Sequence, residues 1–188
     1  TQTIPRIAAG NYDLGFGDIN SLIKFKDQNP DASVIAVMMT YETPPFAIVS
    51  LAGRGIDAGD PASLEGRTLG APPPDAAFAQ WPIFVEVNDL DTSTITIESV
   101  GFPVREPMLA AGDVDGIFGY SFSSVQNLKL NDVPDEDIVV MLMAEHGLAL
   151  YGNAVLANTN FAAENPGAVE GFIRATIKGW RDTVADPE

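Results

Sequence analysis

An α/β chain with two similar lobes of mainly parallel sheet is what this sequence predicts, and three observations lead there. A ten-residue stretch near the start, Ala8-Ala9-Gly10-Asn11-Tyr12-Asp13-Leu14-Gly15-Phe16-Gly17, returns as Ala110-Ala111-Gly112-Asp113-Val114-Asp115-Gly116-Ile117-Phe118-Gly119, both reading A-A-G-x-x-D-x-x-F-G. The echo continues downstream, where Pro30-Asp31 precedes an apolar run at 34–39 and Pro134-Asp135 precedes another at 138–143. Throughout the chain, short apolar runs alternate with helix-like stretches, the pattern of layered strands and helices. Two copies are too few for a solenoid. They predict two similar lobes facing each other across a cleft.

Each repeat has a local physical logic. Ala-Ala-Gly ends a helix, with Gly10 and Gly112 just past the last turn, where a positive φ makes a Cβ costly. The runs at 14–17 and 116–119 are long enough only for buried strands. Helices follow at 19–26 and 124–130, then a Pro-Asp turn and a nearly continuous apolar strand. Residues 46–51 after Pro44-Pro45 read as a strand crossing between lobes, and 68–71 as a short strand entering Pro72-Pro73-Pro74. Asp75 then stands at a helix N-cap. Pro82 is expected to interrupt the helix that Asp75 opens. Residues 94–98 alternate at period two, predicting a half-buried strand. Residues 148–156 read as a strand returning to the first lobe. Asn165 and Pro166 open a last helix whose Val169, Phe172, Ile173, Thr176, Ile177, Trp180 and Val184 fall on one face.

Composition bounds the function. The chain has 188 residues, 46% hydrophobic and 19% charged, which is globular composition with enough length to bury a core. Ten basic residues against 26 acidic give a net charge of −16, which argues against nucleic acid and anionic membrane surfaces as partners. The absence of cysteine excludes a disulfide scaffold, thiol catalysis and cysteine–zinc sites. No apolar run approaches the roughly 18 residues of a membrane span. No signal peptide is visible, and both ends read as those of a trimmed or mature piece of a longer protein.

Ligands of open α/β sheets collect beyond the carboxyl ends of strands. That rule selects Asp18 and Asn20, Tyr41, Asp75, Arg105, Tyr120 and Phe122, with Tyr151 as a further aromatic. Asp18 and Asp75 are equally well explained as N-caps that need no ligand. Tyr120 and Phe122 make a stacking surface at a strand end, with core packing as the alternative. Arg105 at a helix start opposes the macrodipole, so it either pairs with Glu106 or Glu98, the favoured reading, or holds an anionic ligand group. Trp81 and Trp180 read as core, and His146, the one histidine, as structural. No catalytic residue and no metal or cofactor site is expected: the chain contains no G-x-S-x-G, no G-x-x-x-x-G-K-[ST] and no H-E-x-x-H.

Several segments in this order carry a family resemblance. They are Ala8-Ala9-Gly10-x-x-Asp13-x-Gly15-Phe16, then Leu64-Glu65-Gly66-Arg67-Thr68-Leu69-Gly70 ahead of a helix, then Arg105-Glu106-Pro107-Met108-Leu109 running into Gly112-x-x-Asp115, and Asn165-Pro166. Over almost its whole length the chain resembles the nitrate/sulfonate/taurine group of ABC-transporter substrate-binding proteins, which includes binders of thiamine-pyrimidine precursors. The resemblance implies a type II periplasmic-binding fold, with lobe one at 1–47 and 148–188 and lobe two at 52–143. It implies that an N-terminal strand–helix–strand segment and further C-terminal helices lie outside this chain. It also implies a periplasmic or membrane-tethered extracytoplasmic monomer that binds a small nutrient in the cleft and presents it, by hinge closure, to an ABC permease. Alternatives on the same fold are a pyrimidine-precursor synthase or small-molecule lyase, and the ligand-sensing domain of a transcriptional regulator. With two carboxylates and several aromatics at strand ends, a nitrogen heterocycle or amine is favoured over nitrate or sulfonate.

Overall fold

The computed structural model describes residues 2–187. In chain order the first half runs α1 (Thr3–Ala8), β1 (Leu14–Asp18), α2 (Ile19–Gln28), β2 (Val34–Met39), β3 (Phe46–Leu51), β4 (Thr68–Ala71), α3 (Ala76–Ala79), α4 (Trp81–Asn88) and β5 (Thr96–Ser99). The second half runs α5 (Arg105–Ala111), β6 (Gly116–Tyr120), α6 (Ser121–Leu130), β7 (Ile138–Leu142), β8 (Asn153–Asn158), α7 (Thr159–Glu164) and α8 (Pro166–Ala185). The chain divides into two compact units, Thr1–Glu42 with Tyr151–Glu188, and Thr43–Leu150.

The first unit holds a three-stranded sheet in the order β1-β8-β2, both pairings antiparallel. Ile4 and Ile7 of α1 and Leu22 of α2 pack with Val34, Ala154 and Leu156 of the sheet into one buried cluster. The second unit holds five strands in the order β5-β4-β6-β3-β7. Its β3 is covered on both faces, with Phe46 and Ile48 in one cluster and Ala47 and Val49 in another, so its run is apolar without alternation.

The α/β class holds, while the sheets are mixed in orientation rather than mainly parallel. In each repeat the two strands of the β-α-β unit run the same way but are not neighbours. β8 is wedged antiparallel between β1 and β2, and β3 is wedged antiparallel between β6 and β7. The repeated strands β1 and β6 thus occupy corresponding places in two separate sheets. Both repeats also end their helices as expected, with Gly10 at φ 74° and Gly112 at φ 87°.

Other expectations need correcting. The strand at 94–98 is β5, an edge strand whose four residues are all exposed, because it has a partner on one side only and no covering layer. The return strand begins at Asn153, which leaves Tyr151 in a loop and 58% exposed. Trp180 is not core: it is 43% exposed, and Val169 is the buried residue of α8. The helix has its apolar stripe, and the element it packs on most closely among the described residues is α7. Asn165 precedes α8 without capping it, since its side-chain amide donates back to the Phe161 carbonyl at 3.3 Å.

The two repeat-ending glycines should respond alike to substitution. Gly10→Ala places a Cβ in open space, and Gly112→Ala meets only the far end of the flexible Arg54 side chain, which can move aside, so each carries the left-handed backbone cost of about 1 kcal/mol. Urea melts should find the two variants similarly destabilised; a parent-like stability of either contradicts the positive-φ requirement.

Candidate functional site

In the second unit the strand-end chemistry begins with the stiff Pro72–Pro74 segment, which delivers Asp75 in extended conformation (φ −71°, ψ 136°) to the start of α3. One carboxylate oxygen of Asp75 accepts from the backbone N–H groups of Ala77 (2.8 Å) and Phe78 (3.1 Å). The other accepts from Arg105 Nη1 at 3.2 Å. Arg105 enters from the first residue of α5 and is 5% exposed. Its Nε and Nη2 donate to Glu106 Oε1 at 3.0 and 2.6 Å, Nη1 to the Phe118 carbonyl at 2.9 Å, and Nη2 to Ser124 Oγ at 3.3 Å. The Phe102 ring lies 5.6 Å from the guanidinium carbon. All five guanidinium N–H groups therefore have acceptors inside the protein. Of the two pairings read from the sequence, Arg105 makes the one with Glu106; Glu98 is not a partner, and Asp75 is the second acid.

Gly119 makes this passage possible. A Cβ there would stand 2.5 Å from Ser124 Oγ and 2.9 Å from Arg105 Nη1. Burial holds the Asp75 carboxyl above its usual range, aided by the Glu106 charge and opposed by the Phe78 and Ala77 N–H groups and by Arg105.

Beside this cluster runs an aromatic series. Phe46 and Tyr120 have ring centroids 5.7 Å apart, and Tyr120 and Phe122 are 5.9 Å apart in a T-shaped pair. Phe122 is 50% exposed, so the series runs from buried Phe46 to solvent. Deeper, Phe118 packs against Phe78 at 5.2 Å and Trp81 at 5.3 Å. Trp81 is core, as expected. His146 is structural, its Nε2 lying 2.8 Å from the Ala58 carbonyl oxygen.

In the first unit Asp18 caps α2, accepting from Ser21 N–H at 2.7 Å. Asn20 bridges Asp18 (3.0 Å) and the Tyr151 carbonyl (2.8 Å) with its amide nitrogen. Gly152 N–H donates to the Tyr41 carbonyl, and Ile19 N–H to that of Gly152. Asp18, Asn20, Tyr41 and Tyr151 are thus brought together in one unit, and Asp75, Arg105, Tyr120 and Phe122 in the other. Sequence reasoning missed Phe102, Ser124, Gly119 and the Phe118 carbonyl; the glycine closing both repeats, Gly17 and Gly119, was the available signal.

Among the described residues no group of three or more His, Asp or Glu is placed to hold a metal ion, and no helix is long and apolar enough to cross a membrane. A groove of about 490 Å³, lined by Leu51, Arg54, Asn131 and Asp137, lies at the amino ends of β6 and β7, away from Asp75.

The profile of a family described as NMT1/THI5 like matches residues 1–188. The riboflavin-binding protein RibY of Chloroflexus aurantiacus is 24% identical over 156 residues, which is 82% of this chain and 42% of that protein. Among solved structures, the periplasmic aliphatic sulphonate-binding protein SsuA of Escherichia coli superposes with a TM-score of 0.72 at 15% identity, covering 97% of this chain and 62% of that one. The alkanesulfonate-binding protein SsuA of Xanthomonas axonopodis pv. citri, bound to MOPS, superposes with a TM-score of 0.67 at 19% identity, covering 99% and 61%. The chain spans less than two thirds of the length of each of these three proteins.

Two outcomes follow from the buried charges. Arg105→Met should cost about 3–5 kcal/mol, because it strands two buried carboxylates, and Arg105→Lys should recover only part of it, lacking the fork that reaches four partners. Equal stability of Arg105→Met and the parent by urea melt contradicts this. For Asp75, a folded pKa above the ordinary value of 3.8 means the folded state binds the proton more tightly. That contribution is present below about 3.8 and is lost as pH rises through the folded value. The stability of the parent relative to Asp75→Asn should accordingly fall as pH is raised from 3.8, and a difference that grows with pH contradicts the burial argument.

Proposed function

This chain belongs to the NMT1/THI5-like family, and we propose that it acts as the solute-binding part of an ABC importer, taking a small, flat nitrogen heterocycle. The observation that carries the ligand class is the aromatic series Phe46–Tyr120–Phe122, which ends half in solvent at the carboxyl end of β6. A strand end faced with rings suits a planar ligand, since aromatic stacking contributes about 0.5–1.5 kcal/mol beyond area burial. The likeness to a riboflavin-binding protein supports the same class.

In this reading Tyr120 and Phe122 of the second unit touch the ligand, with Asp75 and Arg105 behind them fixing the helix starts. In the first unit Asn20, Tyr41 and Tyr151 are the candidates at the corresponding strand end, with Asp18 behind them capping α2. Binding occurs without turnover, the partner is a membrane permease, and the location is periplasmic or otherwise extracytoplasmic, with the protein acting as a monomer. A second reading, a small oxyanion ligand, has one observation in its favour: Tyr120 precedes α6 with no side-chain cap, unlike Asp18 before α2.

Calorimetric titration with riboflavin, a free pyrimidine, nitrate and an alkylsulfonate separates these readings. One site for a heterocycle is expected, weakened by about tenfold in Phe122→Ala. Tight binding of nitrate or alkylsulfonate without the heterocycles overturns the ligand class, and steady conversion of a bound ligand favours an enzyme on this fold.

A further inference from the structure

Eight polar or charged residues are buried among the described residues: Asp18, Ser50, Asp75, Gln80, Arg105, Glu106, Ser124 and Asn158. Seven have side-chain hydrogen bonds. Besides the cluster and cap already described, Ser50 Oγ donates to the Asp115 carbonyl at 2.6 Å and Asn158 to the Ile7 carbonyl at 2.8 Å. Gln80 is the exception. It is 5% exposed, its backbone N–H donates to Ala77 and its carbonyl accepts from Ile83 and Phe84, yet its side-chain amide has no partner among the described residues. The next residue repeats the situation: the Trp81 indole N–H, on a side chain 8% exposed, also lacks an acceptor there.

Among the described residues no fully buried side-chain polar atom lacks a hydrogen bond. The small surface that Gln80 and Trp81 retain therefore includes the amide atoms and the indole nitrogen. Burying an amide without a partner costs free energy, and a buried indole N–H normally finds an acceptor. Both groups stand at the junction of α3 and α4, one turn beyond Asp75 and hence near the carboxyl end of β4. Phe78 and Trp81, on either side of the amide in sequence, both pack on Phe118.

We propose that Gln80, with the Trp81 N–H, reads the polar edge of the ligand. This rests on the heterocycle reading above and deepens it. A primary amide offers a donor and an acceptor side by side, so it pairs with a ligand edge carrying an N–H next to a carbonyl, as in an imide or lactam ring. The indole N–H supplies one further donor, to a ring carbonyl or ring nitrogen. Gln80 is then a specificity determinant, while the rings at Tyr120 and Phe122 recognise flatness alone.

The probes are riboflavin, whose ring system carries an imide N–H flanked by carbonyls, and its N3-methyl derivative, in which that N–H is blocked. In the unaltered protein the methyl derivative should bind about tenfold more weakly or worse. Gln80→Met, of similar length, should leave the thermal melt unchanged or raised, since it removes an unpaired amide, while weakening riboflavin by about tenfold and abolishing discrimination between the two probes. Equal affinity of the unaltered protein for both probes overturns the assignment without any variant. A lowered melt of Gln80→Met with unchanged riboflavin affinity also overturns it, by making the amide structural and its partner an ordered water. If the unaltered protein binds neither riboflavin nor a free pyrimidine, the heterocycle reading falls and this assignment falls with it.

Discussion

One guanidinium ties the second unit together. Arg105 joins the start of α3 through Asp75, the first turn of α5 through Glu106, the β6 backbone through Phe118 and the first turn of α6 through Ser124. Four elements converge on a side chain that is almost wholly removed from water, where an unpaired charge would be very costly. The consequence reaches outward to chemistry. Asp75 sets where α3 begins, and α3 sets where Phe78, Gln80 and Trp81 stand. The same fan of hydrogen bonds holds the β6–α6 junction that carries Tyr120 and Phe122. It also makes a glycine obligatory at position 119, where a side chain would collide with Arg105 and Ser124. Charge and packing specify one arrangement here, because each donor has one acceptor within reach.

The duplicated β-α-β units keep the scaffold and change the tips. After β1, an aspartate caps the helix and an asparagine ties that cap to the loop before β8. After β6, the corresponding position is Tyr120, the helix start carries no side-chain cap, and the neighbours are aromatic. The first tip is polar and hydrogen-bonded, the second flat and apolar.

The elements were legible where local chemistry decides them. The positive-φ glycines ending α1 and α5, the Asp75 cap and the interruption at Gln80 ahead of Pro82 all follow from backbone sterics and short-range hydrogen bonds. Strand direction was not legible, since an apolar run such as Phe46–Leu51 looks the same whichever way its neighbours point. The period-two pattern around Ile95–Ile97 misled because alternation marks a strand without saying whether a layer covers it. Trp180 misled for a related reason: a helical stripe shows which residues share a face, not whether that face has a partner. At the site, Asp18 and Asp75 were found as caps. The convergence on Arg105 was not, because Phe118 contributes a carbonyl and Ser124 a hydroxyl that carry no signature in the sequence. Gln80 was invisible for the opposite reason, since its interest lies in a partner it lacks.

The proposed binding of a solute at the carboxyl ends of β4 and β6 is tested most directly by amide chemical-shift mapping by NMR during riboflavin titration. Shifts concentrated at residues 75–81 and 120–122 are the predicted result. Shifts confined to the groove around Leu51, Arg54 and Asn131, at the opposite strand ends, would contradict it.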